Sequence, residues 1–192
     1  MRTTEQIQKD ISIYDRELAG LLPYNIALIG FMGTGKSTVS HYLKEMLAME
    51  EIDTDAMVVE TEGMKITDIF EKYGEPYFRN CEKRAILSLQ NRRQLIISCG
   101  GGAVMREENV RNLKKSSRIV LLEAMPETIL ERVKNSTQRP ILNGNMNVEF
   151  ISQLMEKRRE CYEKAADIVI QTDGKDVPSI CEELIQRLIA AE

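Results

Sequence analysis

The chain has 192 residues, 43% of them apolar and 29% charged, which is the composition of one globular domain with room for a short appendage. A net charge of −4 excludes a general electrostatic attraction to nucleic acid, so an anionic ligand needs basic residues placed locally against the overall field. No apolar run approaches membrane length and the N-terminus has no basic-then-apolar leader pattern, so a cytoplasmic protein without a membrane partner is expected.

In chain order, Ile7, Ile11, Tyr14, Leu18 and Leu21 recur at helical spacing, and Pro23 ends that run. Residues 1–24 are expected to form an amphipathic helical extension, packed on the outside of the domain or used for pairing. Within it, Ile11 to Leu18 resembles the opening helix of chorismate mutase domains, over a piece too short to carry that activity. The main domain is expected over 25–192. Its first strand is predicted at Asn25–Ile29, followed by a glycine-rich turn and a helix over Lys36–Ala48. Met49–Ile52 predicts a short second strand. Ile66, Ile69, Phe70 and Tyr73 keep helical spacing until Gly74 and Pro76 break it, and a longer helix runs from about Tyr77 to Asn91. The continuous apolar runs Leu95–Cys99 and Arg118–Leu122 predict buried parallel strands. Pro126 opens a helix where proline is tolerated. Asn135–Met146 is polar and predicts a loop; a helix over Val148–Ala165, a strand over Asp167–Gln171 and a last amphipathic helix from Val177 follow. Five strands alternating with helices predict one doubly wound α/β domain. Ligands of such sheets collect at the carboxyl ends of the strands.

The residues with chemical character fall at those ends. Gly30-Phe31-Met32-Gly33-Thr34-Gly35-Lys36-Ser37 fits the phosphate-binding pattern G-x-x-x-x-G-K-S/T, between a strand and a helix. Glycines let the backbone curl so that its N–H groups converge on an anion, and the helix N-terminus adds partial positive charge. Lys36 is placed to reach the β- and γ-phosphates and Ser37 to ligate Mg²⁺. Asp53 and Asp55 follow the second strand. Read as extended backbone, that segment points both carboxylates to one side. One suits Mg²⁺ and the other suits the proton of a substrate hydroxyl. Gly100, Gly101 and Gly102 follow the third strand, and three glycines in a row suit close approach to a ligand better than a plain turn. Ser98 and Cys99 offer no carboxylate there, which leaves Asp53 as the candidate metal acid. Arg158 shares the inward stripe of its helix with Leu154, Met155 and Tyr162, whereas Arg159 points elsewhere; an arginine on such a stripe needs an anionic partner. Arg79 sits near a helix start, where acids are favoured. Two arginines suit a small carboxylate. Arg139, in the polar loop, matches a lid that closes over a transferring phosphate. Cys81, Cys99, Cys161 and Cys181 lack metal-site or C-x-x-C spacing and are expected to be reduced packing residues. His41 is the only histidine and has no partner motif, which disfavours a histidine-based acyl-transfer site.

Taken together, the P-loop 30–37, Asp-Thr-Asp 53–55, Gly-Glu-Pro-Tyr-Phe-Arg 74–79, Gly-Gly-Gly-Ala-Val 100–104, Arg-Pro 139–140 and Arg-x-x-x-Tyr 158–162 resemble the shikimate kinases. The resemblance spans about Asn25 to Leu188. It implies a three-layer α/β/α P-loop kinase fold with a five-stranded parallel sheet in the order 2-3-1-4-5 and a lid loop. It implies phosphorylation of the shikimate 3-hydroxyl by ATP with Mg²⁺. Gly33, Thr34, Gly35, Lys36, Ser37 and Thr38 then bind the nucleotide, with Arg139 closing on the phosphates. Ser37 and Asp53 hold Mg²⁺. Asp55 holds the substrate hydroxyls and is the candidate general base; Arg79, Arg158 and Gly100, Gly101 and Gly102 hold shikimate. Lys36, Asp55 and Arg139 form the implied catalytic set. Cys99 stands where threonine or alanine is more usual. A monomer is expected, with the N-terminal helix available for pairing. The rival readings are another small-metabolite P-loop kinase, such as a gluconate kinase, and a nucleotide-binding regulatory module; no N-K-x-D guanine-reading motif supports a GTPase.

Overall fold

Central parallel strands need apolar cover on both faces, and the helices between them supply it. The computed structural model describes residues 22–134 and 147–191. The helix expected over residues 1 to about 22 falls almost wholly outside the described residues. The loop expected over Asn135–Met146, with Arg139, falls outside them too.

The strands are β1 (Asn25–Ile29), β2 (Glu50–Asp53), β3 (Leu95–Ser98), β4 (Ser117–Glu123) and β5 (Ile168–Gln171). They form one parallel sheet in the order β2-β3-β1-β4-β5, the order the resemblance implies. The helices are α1 (Lys36–Leu47), α2 (Thr54–Glu62), α3 (Ile66–Ser88), α4 (Glu107–Lys114), α5 (Pro126–Val133), α6 (Val148–Ala165) and α7 (Val177–Ala190), with a 3₁₀ turn at Ala103–Met105. Side chains alternate between faces along a strand. Ile26 and Leu28 enter one core with Val39 and Leu43 of α1 and Leu184 of α7. Ala27 and Ile29 enter the opposite core with Ile86 of α3, Leu113 of α4 and Tyr162 of α6. Every residue of β1 is buried, as the central strand of a covered sheet must be.

Register decides where the site forms. Asp53 pairs with Ser98, and Ser98 with Leu28, so β2, β3 and β1 finish level. The segments that follow them emerge together at one edge of the sheet.

Two local features differ from the sequence reading and one expected break is found. Asp53, Thr54 and Asp55 are not one extended segment: Asp53 ends β2 and caps α2, and Asp55 lies in the first helical turn. The helix wins because the Asp53 carboxylate satisfies two of its unpaired N–H groups. The break expected at Gly74 is present: the residue leaves helical geometry at φ 78° and ψ 172°, and α3 is two limbs joined by a kink there. Helices α2 and α4 were not read from the sequence. In α2 the buried residues are Thr54 and Val58 only, so no apolar stripe announces it.

Candidate active site

The phosphate loop joins β1 to α1. Gly30 has φ 142°, and a Cβ there would stand 2.3 Å from the Leu122 carbonyl oxygen, so only glycine fits. The Thr34 hydroxyl donates to the Phe31 carbonyl at 2.8 Å and stiffens the turn. Lys36 Nζ donates back to the carbonyls of Gly30 at 2.9 Å and Phe31 at 3.0 Å, which holds the ammonium against the loop. Gly35 is the N-cap of α1, and Ser37 and Thr38 lie exposed on its first turn. No acidic residue occupies that turn, so the positive end of the helix is left for a ligand.

Level with this loop, Asp53 Oδ1 accepts the N–H groups of Asp55 at 2.9 Å and Ala56 at 3.0 Å. Thr54 ties the strand ends together, its hydroxyl accepting the Gly100 N–H at 2.9 Å. Asp55 is half-buried against the glycine turn: a Cβ on Gly100 would meet Asp55 Oδ1 at 2.4 Å and Glu82 Oε1 at 3.0 Å. A Cβ on Gly102 would meet Arg79 Nη1 at 2.3 Å. Gly100 and Gly102 thus leave the space that Asp55, Glu82 and Arg79 fill. The Gly101 carbonyl accepts Arg158 Nη1 at 3.4 Å and the Tyr162 hydroxyl. Among the described residues, the N–H groups of Gly101 and Gly102 have no hydrogen-bond partner. Unpaired amides next to two guanidinium groups make an anion site.

Both arginines flank this turn. Arg79, 13% exposed, donates to Glu82 Oε2 and to Glu75 Oε1, each at 3.0 Å. Arg158 lies over the Phe31 ring with its guanidinium carbon 5.6 Å from the centroid. Arg159 instead pairs with Glu156 in solvent, so the two neighbours divide by helix face. A cleft of about 520 Å³ runs from the P-loop to Asp53, Asp55, Gly100 and Gly101 in one direction and to Thr172 and Lys175 in the other.

The shikimate kinase family model matches residues 32–189. The shikimate kinase of a Sulfurihydrogenibium species is 42% identical over 164 residues, covering 85% of this chain and 97% of its own. The chain belongs to the shikimate kinase family. The solved shikimate kinase of Acinetobacter baumannii, a complex with shikimate, superposes with a TM-score of 0.85 at 30% identity, covering 91% of this chain and 97% of its own. A gluconokinase from Sinorhizobium meliloti gives a TM-score of 0.54 at 18% identity and shares the fold alone.

In this shikimate kinase family member, three residues that support the cleft or the glycine turn escaped the sequence reading. Glu82 lies under Gly100 with its side chain sealed from solvent. Burial pushes its carboxyl up to about 7 against the pull of Arg79, and the charge of Asp55 adds to the rise. Glu82 Oε1 has no hydrogen-bond partner among the described residues. The signal was present, because Glu82 sits on the stripe of Phe78, Cys81 and Ala85, where a charge needs a partner. Arg132 donates to the Gly33 carbonyl at 3.2 Å and to the Thr172 hydroxyl at 3.1 Å, bracing the far end of the cleft, and no motif marks it. Tyr162 belonged to the quoted motif without a role. Burial raises the Cys99 thiol, so it packs in the wall as a neutral group.

No group of three or more metal-ligating His, Cys, Asp or Glu residues occurs among the described residues. Mg²⁺ in a kinase does not need one, since it is held by one or two protein oxygens and by the phosphates. The Ser37 hydroxyl and the second oxygen of Asp53 are hard donors of that kind. No helix among the described residues is long and apolar enough to cross a membrane.

Proposed function

We propose that this cleft transfers the γ-phosphoryl group of ATP to the 3-hydroxyl of shikimate, giving ADP and shikimate 3-phosphate. The observation that carries the reading is the meeting of Asp55, Arg79 and Arg158 at the Gly100–Gly102 turn, level with the phosphate loop. An alcohol that also bears a carboxylate needs both kinds of partner within one small site.

The polyphosphate takes the P-loop amides and the N-terminus of α1, and Lys36 exchanges the Gly30 and Phe31 carbonyls for phosphate oxygens. Ser37 and Asp53 hold Mg²⁺, which when bound neutralises phosphate charge. Arg79 and Arg158 grip the shikimate carboxylate, and the Gly101 and Gly102 amides add donors. Asp55 orients the 3-hydroxyl and takes its proton as the oxygen bonds to phosphorus and the bond from phosphorus to the ADP oxygen breaks. Arg139 is assigned to the transferring group on the family pattern alone.

The test is ADP release by purified protein with ATP, Mg²⁺ and shikimate, against controls lacking shikimate or containing gluconate. Release that requires shikimate is expected, and Asp55→Asn should lower it by about 10²–10⁴-fold with the fold retained. Equal release without shikimate, or preference for gluconate, would overturn the reading.

A further inference from the structure

We infer that Tyr162 is a positioning residue for shikimate: its hydroxyl anchors the Gly101 carbonyl and so sets the direction of the Gly102 N–H. The inference rests on the reading that the glycine turn holds shikimate. Three consecutive glycines have no side chains to restrain their peptide planes. Some outside group has to fix them if the turn is to present donors in one arrangement. Ala103 N donates to Gly100 O at 3.0 Å and Met105 N to Gly102 O at 3.1 Å, which fixes two of the three carbonyls from within the loop. The third is held from α6 by Tyr162 and Arg158.

These two partners are not equivalent. Arg158 Nη1 stands 3.4 Å from Gly101 O, a long contact that a carboxylate ligand outcompetes. Tyr162 makes the short bond. Tyr162 is 5% exposed and belongs to the core that also holds Ala27, Ile97 and Ala165, so packing restrains its ring. Burial pushes its hydroxyl up to about 12, and it stays a donor at every working pH. When Arg158 turns to the substrate, Tyr162 is therefore the partner that remains. In a trans peptide the carbonyl and the following N–H point in opposite directions. With the Gly101 carbonyl drawn toward α6, the Gly102 N–H is turned away from it. Gly101 also abuts the phosphate loop: a Cβ on it would lie 3.7 Å from Gly30 O and 3.8 Å from Met32 N. Anchoring this glycine thus sets the spacing between the substrate turn and the phosphate loop.

Tyr162→Phe keeps the ring and removes only the donor. The experiment measures KM for shikimate and for ATP in wild type and Tyr162→Phe, with melting temperature as a control. The expected result is a shikimate KM raised about tenfold, an ATP KM within about twofold, and a variant that remains folded. A purely structural role lowers the melting temperature and the active fraction without splitting the two KM values, and that outcome overturns the inference. A second measurement needs no variant. In wild type labelled at the Gly101 carbonyl carbon, saturation with shikimate should leave the resonance at its hydrogen-bonded position; a move to the position of a free carbonyl overturns the anchor. Absence of shikimate turnover in wild type would instead overturn the function reading, and this inference with it.

Discussion

Arg79 Nη1 and Glu82 Oε2 pair at 3.0 Å inside the protein, and Asp55 stands on the other side of the same glutamate. A carboxyl held between a guanidinium and a second carboxylate is balanced between its two forms. Burial outweighs Arg79, Asp55 reinforces burial, Arg106 opposes it, and the group titrates at about 7. An acid whose folded value lies above its ordinary 4.5 favours the fold while protonated. That contribution is complete below the ordinary value and is lost as pH rises through about 7.

Binding a carboxylate beside Arg79 adds negative charge near Glu82 and draws Arg79 from it. Both effects raise Glu82 further, so shikimate binding near pH 7 should take up protons. Calorimetry in two buffers of different ionisation enthalpy measures the uptake. It should vanish in Glu82→Gln, and wild type should show a shikimate KM that rises between about pH 6 and 8. Binding without proton uptake would mean that Glu82 does not sense the substrate.

Arg158 and Arg159 are adjacent in sequence but face the glycine turn and solvent respectively. Loss of a charged hydrogen bond predicts that Arg158→Ala raises the shikimate KM by about 10–100-fold. Arg159→Ala should stay within about twofold, because an exposed ion pair contributes little. Equal effects would break the division by helix face.

Gly100→Ala and Gly102→Ala should fail in different ways. The first puts a methyl 2.4 Å from Asp55 Oδ1, and the second puts one 2.3 Å from Arg79 Nη1. Gly100→Ala should lower kcat by displacing the base. Gly102→Ala should raise the shikimate KM by displacing a flexible guanidinium. Steady-state kinetics separate the two, and matching defects in both variants would argue against separate roles for Asp55 and Arg79.

Asp53 has a structural and a proposed metal duty on one side chain. Asparagine caps a helix about as well as aspartate, so Asp53→Asn should melt close to wild type while needing more Mg²⁺ for half-maximal rate. Asp53→Ala should also lose about 1 kcal/mol of cap energy. An unchanged Mg²⁺ requirement in Asp53→Asn would remove Asp53 from the metal.

Read alone, the sequence determined the phosphate loop, all five strands and their parallel character. These depend on short-range facts: glycine spacing around one lysine, and apolar runs too short for helices. The family resemblance supplied the strand order, and the face argument separated Arg158 from Arg159 because helical periodicity is local. The folded chain alone decided that Asp53 turns back to cap a helix while Asp55 goes on to Gly100. It also decided that Glu82 lies beneath that glycine and that Arg132 braces the phosphate loop from 99 residues away. The Asp53 cap is local, but the approach of Glu82 to Gly100 and of Arg132 to Gly33 depends on register and packing between distant segments, and no short window of sequence contains both partners.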